Sequence, residues 1–134
     1  MPRKSRPAMI TLMGACAFGA ADATNLILDP SLTTSAALVT PYDNMTLLSA
    51  TLVSRIAGTG GGSCSVRIDA GSTPVSETTA NTFCLSTAAV GTYIGYVDGQ
   101  SNCGPAGTQL KLTTVKTGTF SGNITCQIVL IFST

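Results

Sequence analysis

Five cysteines, six carboxylates and one glycine-rich run are the features of this 134-residue chain with a claim on chemistry, and histidine is absent. Without an imidazole, the usual base that activates a serine or cysteine nucleophile is missing. The acids are Asp22, Asp29, Asp43, Asp69, Glu77 and Asp98, scattered along the sequence. Calcium loops gather carboxylates at close spacing, and none cluster here. Asp98 stands directly before Gly99 and Asp69 one residue before Gly71, so turn chemistry accounts for both. A glycosidase pair could still converge in space, but three tyrosines and no tryptophan provide little for a sugar-binding cleft. The run Gly58-Thr-Gly-Gly-Gly-Ser63 carries no lysine and leads into an alternating strand pattern, not a helix. A phosphate-binding loop needs both features, so a hairpin connection is the expected reading. No catalytic residue, cofactor or small-molecule substrate is expected.

The cysteines leave two readings open. Cys64, Cys84, Cys103 and Cys126 are spread about one per strand, while Cys16 stands alone in an apolar stretch near the start. The lack of a C-x-x-C pair and of histidine argues against a zinc site. In an oxidising compartment the later four can form two disulfides, in any of three pairings. In a reducing one they serve as small buried apolar groups.

Composition narrows the partners. Charged residues make up 10% of the chain and hydrophobic ones 44%, against a typical charged share of about a quarter. Three of the seven basic residues fall within the first six positions, leaving Arg55, Arg67, Lys111 and Lys116 against six acids in the remainder. Such a body has no basic face for a nucleic-acid backbone. It also has few charges to keep a lone molecule soluble, which points to surface covered by partners. A neutral, hydroxyl-rich exported domain is the alternative.

The start, MPRKSRPAMITLMGACAFGAADA, has the layout of a secretory signal: a basic tip at Arg3, Lys4 and Arg6, an apolar run, and Ala21-Asp22-Ala23 as a cleavage site. The run is too short to cross a bilayer as a standard helix, and no membrane partner is expected. If retained, residues 1–23 form an arm distinct from a domain at 24–134. Arg3, Lys4 and Arg6 would then meet an acidic partner, and Ile10, Leu12, Met13 and Phe18 would pack on a neighbouring subunit. On that reading, deleting residues 2–23 leaves the domain folded and abolishes assembly.

Threonine and glycine (21 and 14 residues) favour strands and tight turns over helices. Strand candidates run from Asn25 to Leu28, Ala36 to Val39, Met45 to Ile56, Ser63 to Asp69, Thr82 to Leu85, Tyr93 to Val97, Gln109 to Val115 and Asn123 to Phe132. Period-2 alternation directs Val66, Ile68, Leu110, Leu112, Ile124, Ile128 and Leu130 into one core. Val129 and Ile131 make the opposite face of the last strand apolar as well, which predicts a central or interface position for it. Short strands separated by turn signals imply an all-β antiparallel sandwich or jelly roll, with an extended N-terminal arm.

In this style of strand, as in SCSVRIDAG (63–71) and QLKLTTVKTGTFSGNITCQIVLIF (109–132) together with the apolar N-terminal run, the chain resembles the small all-β decoration, or cement, proteins of tailed bacteriophage capsids. The resemblance implies a non-enzymatic component of the capsid exterior. It would bind between major capsid protein subunits and associate with copies of itself. The alternative is an exported adhesin or pilus-type subunit, secreted or on the cell surface, with residues 1–23 removed.

Overall fold

The computed structural model describes residues 8–18, 23–30, 36–56, 63–75, 82–84, 92–95, 102–117 and 124–134. Nine strands are present in the described residues: β1 (Met9–Phe18), β2 (Ala23–Leu26), β3 (Thr46–Ile56), β4 (Ser63–Ala70), β5 (Thr73–Pro74), β6 (Thr82–Cys84), β7 (Thr92–Gly95), β8 (Leu110–Thr117) and β9 (Ile124–Ser133). They form two antiparallel sheets. One has the order β1-β9-β3-β7; the other runs β2-β8-β4-β5, with β6 also paired to β4. The protein is a β-sandwich, and no helix occurs among the described residues.

Alternation explains why the sheets face each other. In β9, Ile128, Leu130 and Phe132 are fully buried while Gln127 is exposed. From β3 come Leu47, Ala50 and Leu52, and from the opposing sheet Ile68, Ala70, Leu110 and Leu112, all within one cluster. Ile68, Leu110, Leu112, Ile128 and Leu130 therefore occupy the core as the alternation predicts; the side chains of Val66 and Ile124 lie outside the described residues. Each fully buried large aliphatic or Phe side chain contributes roughly 1.5–3 kcal/mol. The expected central place of β9 is also observed, between β1 and β3.

Three segments call for comment. The segment read as a separate arm is, over Met9–Phe18, a strand of the sandwich itself, in continuous register with β9 from Met9↔Ser133 to Phe18↔Ile124. Its alternation is masked in sequence by the small residues Gly14, Ala15 and Ala17, which is why it reads as an unpatterned apolar run. The glycine-rich run over 58–62 lies outside the described residues; the strands on either side of it, β3 and β4, belong to different sheets. Alternation fixes which face a strand buries but not which strand lies beside it. Ala36 to Val39 makes only isolated bridges, Leu28↔Ala37 and Val39↔Gln109.

Local sequence shapes the corners. Gly71, at φ +62°, leads the two-residue connection between the paired Ala70 and Thr73, the position where a left-handed residue suits a tight hairpin. Gly14 serves a different need. Ile27 and the Leu28 carbonyl lie so close above it that a Cβ would collide with the Ile27 Cγ2. That close approach lets Leu28, just beyond β2, bond across to Ala15 of β1.

Candidate functional site

The outer face of the β2-containing sheet carries a polar clasp. Arg67 and Asp69 lie two residues apart on β4 and so share a face. Arg67 Nε donates to Asp69 Oδ1 at 2.7 Å and Nη2 to Oδ2 at 3.1 Å. Thr113, opposite Arg67 on β8, donates its hydroxyl to Asp69 Oδ2 at 2.6 Å. The Thr24 hydroxyl lies 3.0 Å from that of Thr113. With the Thr113 proton committed to the carboxylate, Thr24 must be the donor. The chain thus ties β2, β8 and β4 together across one face. The Asp69 side chain keeps only 6% of its surface exposed, against 30% for Arg67. The carboxylate raises the Arg67 pKa above its ordinary value, chiefly through the hydrogen bond. A carboxylate held by a guanidinium fork and a hydroxyl is poorly placed to accept a substrate proton. Its role is in holding the sheet, not in the turn chemistry that its position near Gly71 suggests.

A second cluster braces the loops at 40–46 and 102–109. Thr40 is buried and central to it. Its hydroxyl donates to the Pro105 carbonyl at 3.2 Å and accepts from the Thr108 amide at 3.2 Å. Asp43 Oδ1 accepts from the Ala106 amide at 2.7 Å, and Asn102 Oδ1 from the Gly104 amide at 2.6 Å. Asn44, Gly104 and Gly107 adopt positive φ. These side chains satisfy backbone amides, as turn-forming Asp, Asn and Thr do. The result is a shaped, self-satisfied loop surface. Sequence reading missed it because its partners lie about sixty residues apart, and only the turn-rich composition of each half was visible.

The cysteines offer no reactive thiol among the described side chains. Cys16 and Cys103 are buried and unpaired, and burial pushes both thiols up to about 11. A nucleophilic cysteine needs the opposite shift. The register sets Cys16 opposite Cys126. The side chains of Cys64, Cys84 and Cys126 lie outside the described residues. No group of three or more His, Cys, Asp or Glu among the described residues could hold a metal ion.

The residues assigned to the arm divide by face. Ile10 and Leu12 point inward and pack, half-buried, against the core. Met13 points outward and is 59% exposed, as is Met9, which sequence reading did not single out. Arg3, Lys4 and Arg6 lie outside the described residues, as does the Phe18 side chain. Beside Met13 and Thr11 on β9 stand Val129 and Ile131, both half-buried. The bulge between Leu47 and Ser49 adds Leu48, 40% exposed, to the surface of β3. Among the described residues, Met9, Met13, Val129, Ile131 and Leu48 give this side of the sheet an apolar strip, and β1 is an edge strand.

Comparison with known proteins gives a fold and no family. No protein-family profile matches the sequence, and no curated protein matches it. Among solved structures, a chain of the cyanophage Pam1 capsid asymmetric unit is similar over 98% of this chain and 93% of its own, at TM-score 0.57 and 10% identity. A chain in the acid-stable capsid of Helicobacter pylori bacteriophage KHP30 aligns over 93% of this chain and 88% of its own at 0.48 and 7% identity. A chain from disulfide-linked Bacillus endospore appendages covers 99% of this chain and 95% of its own at 0.46 and 10% identity. Identities this low show a shared fold, and of these three the Pam1 similarity alone is close enough to bear on it.

Proposed function

We propose that this protein is a structural component of a virus capsid, acting as a decoration or cement protein between major capsid subunits. The observation that carries the reading is the near end-to-end similarity of fold to a chain of the Pam1 capsid asymmetric unit. The physical character of the surface supports it. Only 10% of residues are charged, and Met9, Met13 and Leu48 expose apolar surface on one sheet. Such a surface gains free energy when an assembled lattice covers it. Stabilisation would follow by mass action, since a subunit that binds the assembled shell and not its separated parts adds its binding free energy to the assembled state. Many copies acting together make modest affinity per copy sufficient. The partners in this reading are the major capsid protein and other copies of the chain, on the capsid exterior.

The test is biochemical. Particles purified by density gradient from the chain's source should contain it in a fixed ratio to the major shell protein. Mild denaturant should release it and leave closed but more fragile shells. Its absence from such particles would overturn the capsid role. Shells that fall apart as it leaves would show a building subunit of the lattice in place of a cement.

A further inference from the structure

β1 ends its sheet, and its free side has an unusual combination of properties. Backbone groups of an antiparallel strand point alternately to either side. Ala8 accepts from the Thr134 amide, on the β9 side, whereas Ala15 exchanges both its bonds with Leu28, on the other. The even-numbered residues of β1 therefore serve β9, and Met9, Thr11 and Met13 direct their N–H and C=O groups off the sheet. Those groups have no partner among the described residues. Edge strands are usually protected by a charge, a proline or a bulge. Met9–Phe18 contains no charge and no proline, and its register with β9 is unbroken. Leu28 closes the edge at Ala15, so the open stretch is Met9 to Met13, with Thr11 at its middle.

We propose that β1 pairs with β1 of a second copy about a twofold axis at Thr11, joining two four-stranded sheets into one of eight strands. The open edge is self-complementary, as a twofold contact requires. Its outward residues read Met-Thr-Met in either direction. Thr11 would exchange two hydrogen bonds with its counterpart, and each Met9 two with the opposite Met13. On the outer face Met13 then lies between Val129 of its own chain and Met9 of the other copy, burying two side chains that are now 59% exposed. On the core face Ile10 meets Leu12 of the other copy, covering two residues that are half-buried because the sandwich stops there. A foreign strand could use the same backbone groups, but it would need its own matching apolar residues on both faces; a second copy supplies them. This contact gives a geometry to the self-association included in the reading above, and it does not require the shell as a partner.

Sedimentation velocity of the purified full chain in reductant tests it without any capsid present. The expected result is a concentration-dependent dimer, lost in Thr11→Pro. Proline removes only an outward N–H there and is tolerated on an edge, so circular dichroism should stay that of a β-protein. A wild-type monomer at every concentration, or a folded T11P that still dimerises, would overturn the proposal. Should T11P fail to fold, Thr11→Cys decides. Directly paired strand residues lie about 5.5 Å apart, within disulfide reach. Mild oxidation should then give a cross-linked dimer absent from wild type and from the exposed control Ser72→Cys. No excess cross-linking over those controls rejects the pairing. Neither outcome touches the co-purification test of the capsid role.

Discussion

Asp69 is the residue on which the polar face of the sandwich depends. Its carboxylate is nearly buried and is neutralised by Arg67, so removing the guanidinium strands a charge. Arg67→Met is expected to destabilise the fold by about 1–3 kcal/mol, the cost of an unsatisfied buried group. A urea midpoint unchanged from wild type would show that water already satisfies the carboxylate. The double variant with Asp69→Leu should recover part of the loss, because it removes the stranded charge. The buried thiols act at high pH. Unfolding exposes Cys16 and Cys103 to an ordinary pKa near 9, while in the folded protein both sit at about 11. Between those values the unfolded state has lost protons that the folded state keeps. Their contribution to stability is therefore intact below pH 9 and declines as pH rises from about 9 to 11. Replacing both with Ala should flatten that decline, measured as urea midpoints across the range. Native protein at pH 8 should also react with a thiol reagent at these two positions only as it unfolds. The alternation that directs Val66 and Ile68 into the core leaves Arg67 and Asp69 for the outer side of β4. It could not show the clasp, because Thr113 and Thr24 join it through strand neighbours that no local pattern encodes.

Strands were legible where large apolar residues alternate with polar ones, as in β4, β8 and β9. Ile68, Leu112 and Leu130 accordingly sit where the pattern directs them. β1 was not, because Gly14, Ala15 and Ala17 blur its two faces and the basic tip before it has the layout of a signal. The difference has a direct consequence. Removing residues 2–23 takes away ten strand positions paired with β9 and uncovers the flank of Ile128, Leu130 and Phe132. The truncated chain is expected to lose cooperative unfolding and to aggregate, where a separate arm would have left the domain intact. Circular dichroism and a urea titration distinguish the two outcomes. A truncated protein that unfolds cooperatively at the wild-type midpoint would show β1 to be dispensable. The same result bears on the exported reading, since cleavage after Ala23 would remove the same strand.

Across the whole molecule, the sandwich is built from pairings between distant parts of the chain. The sheet partners of β4 include β8, those of β3 include β9, and β1 joins β9 more than a hundred residues later. Loop-closure entropy has to be overcome before such contacts return anything, so folding in the millisecond-to-second range is expected. Stopped-flow refolding finished within microseconds would contradict it. During synthesis, the β1–β9 pairing imposes an order of events. β1 can pair with β9 only once β9, more than a hundred residues later, has been translated. Throughout that interval an uncharged strand waits in the cell without its sheet partner. A chaperone that holds Met9–Phe18 until β9 emerges would raise the yield of soluble protein more than one acting after release.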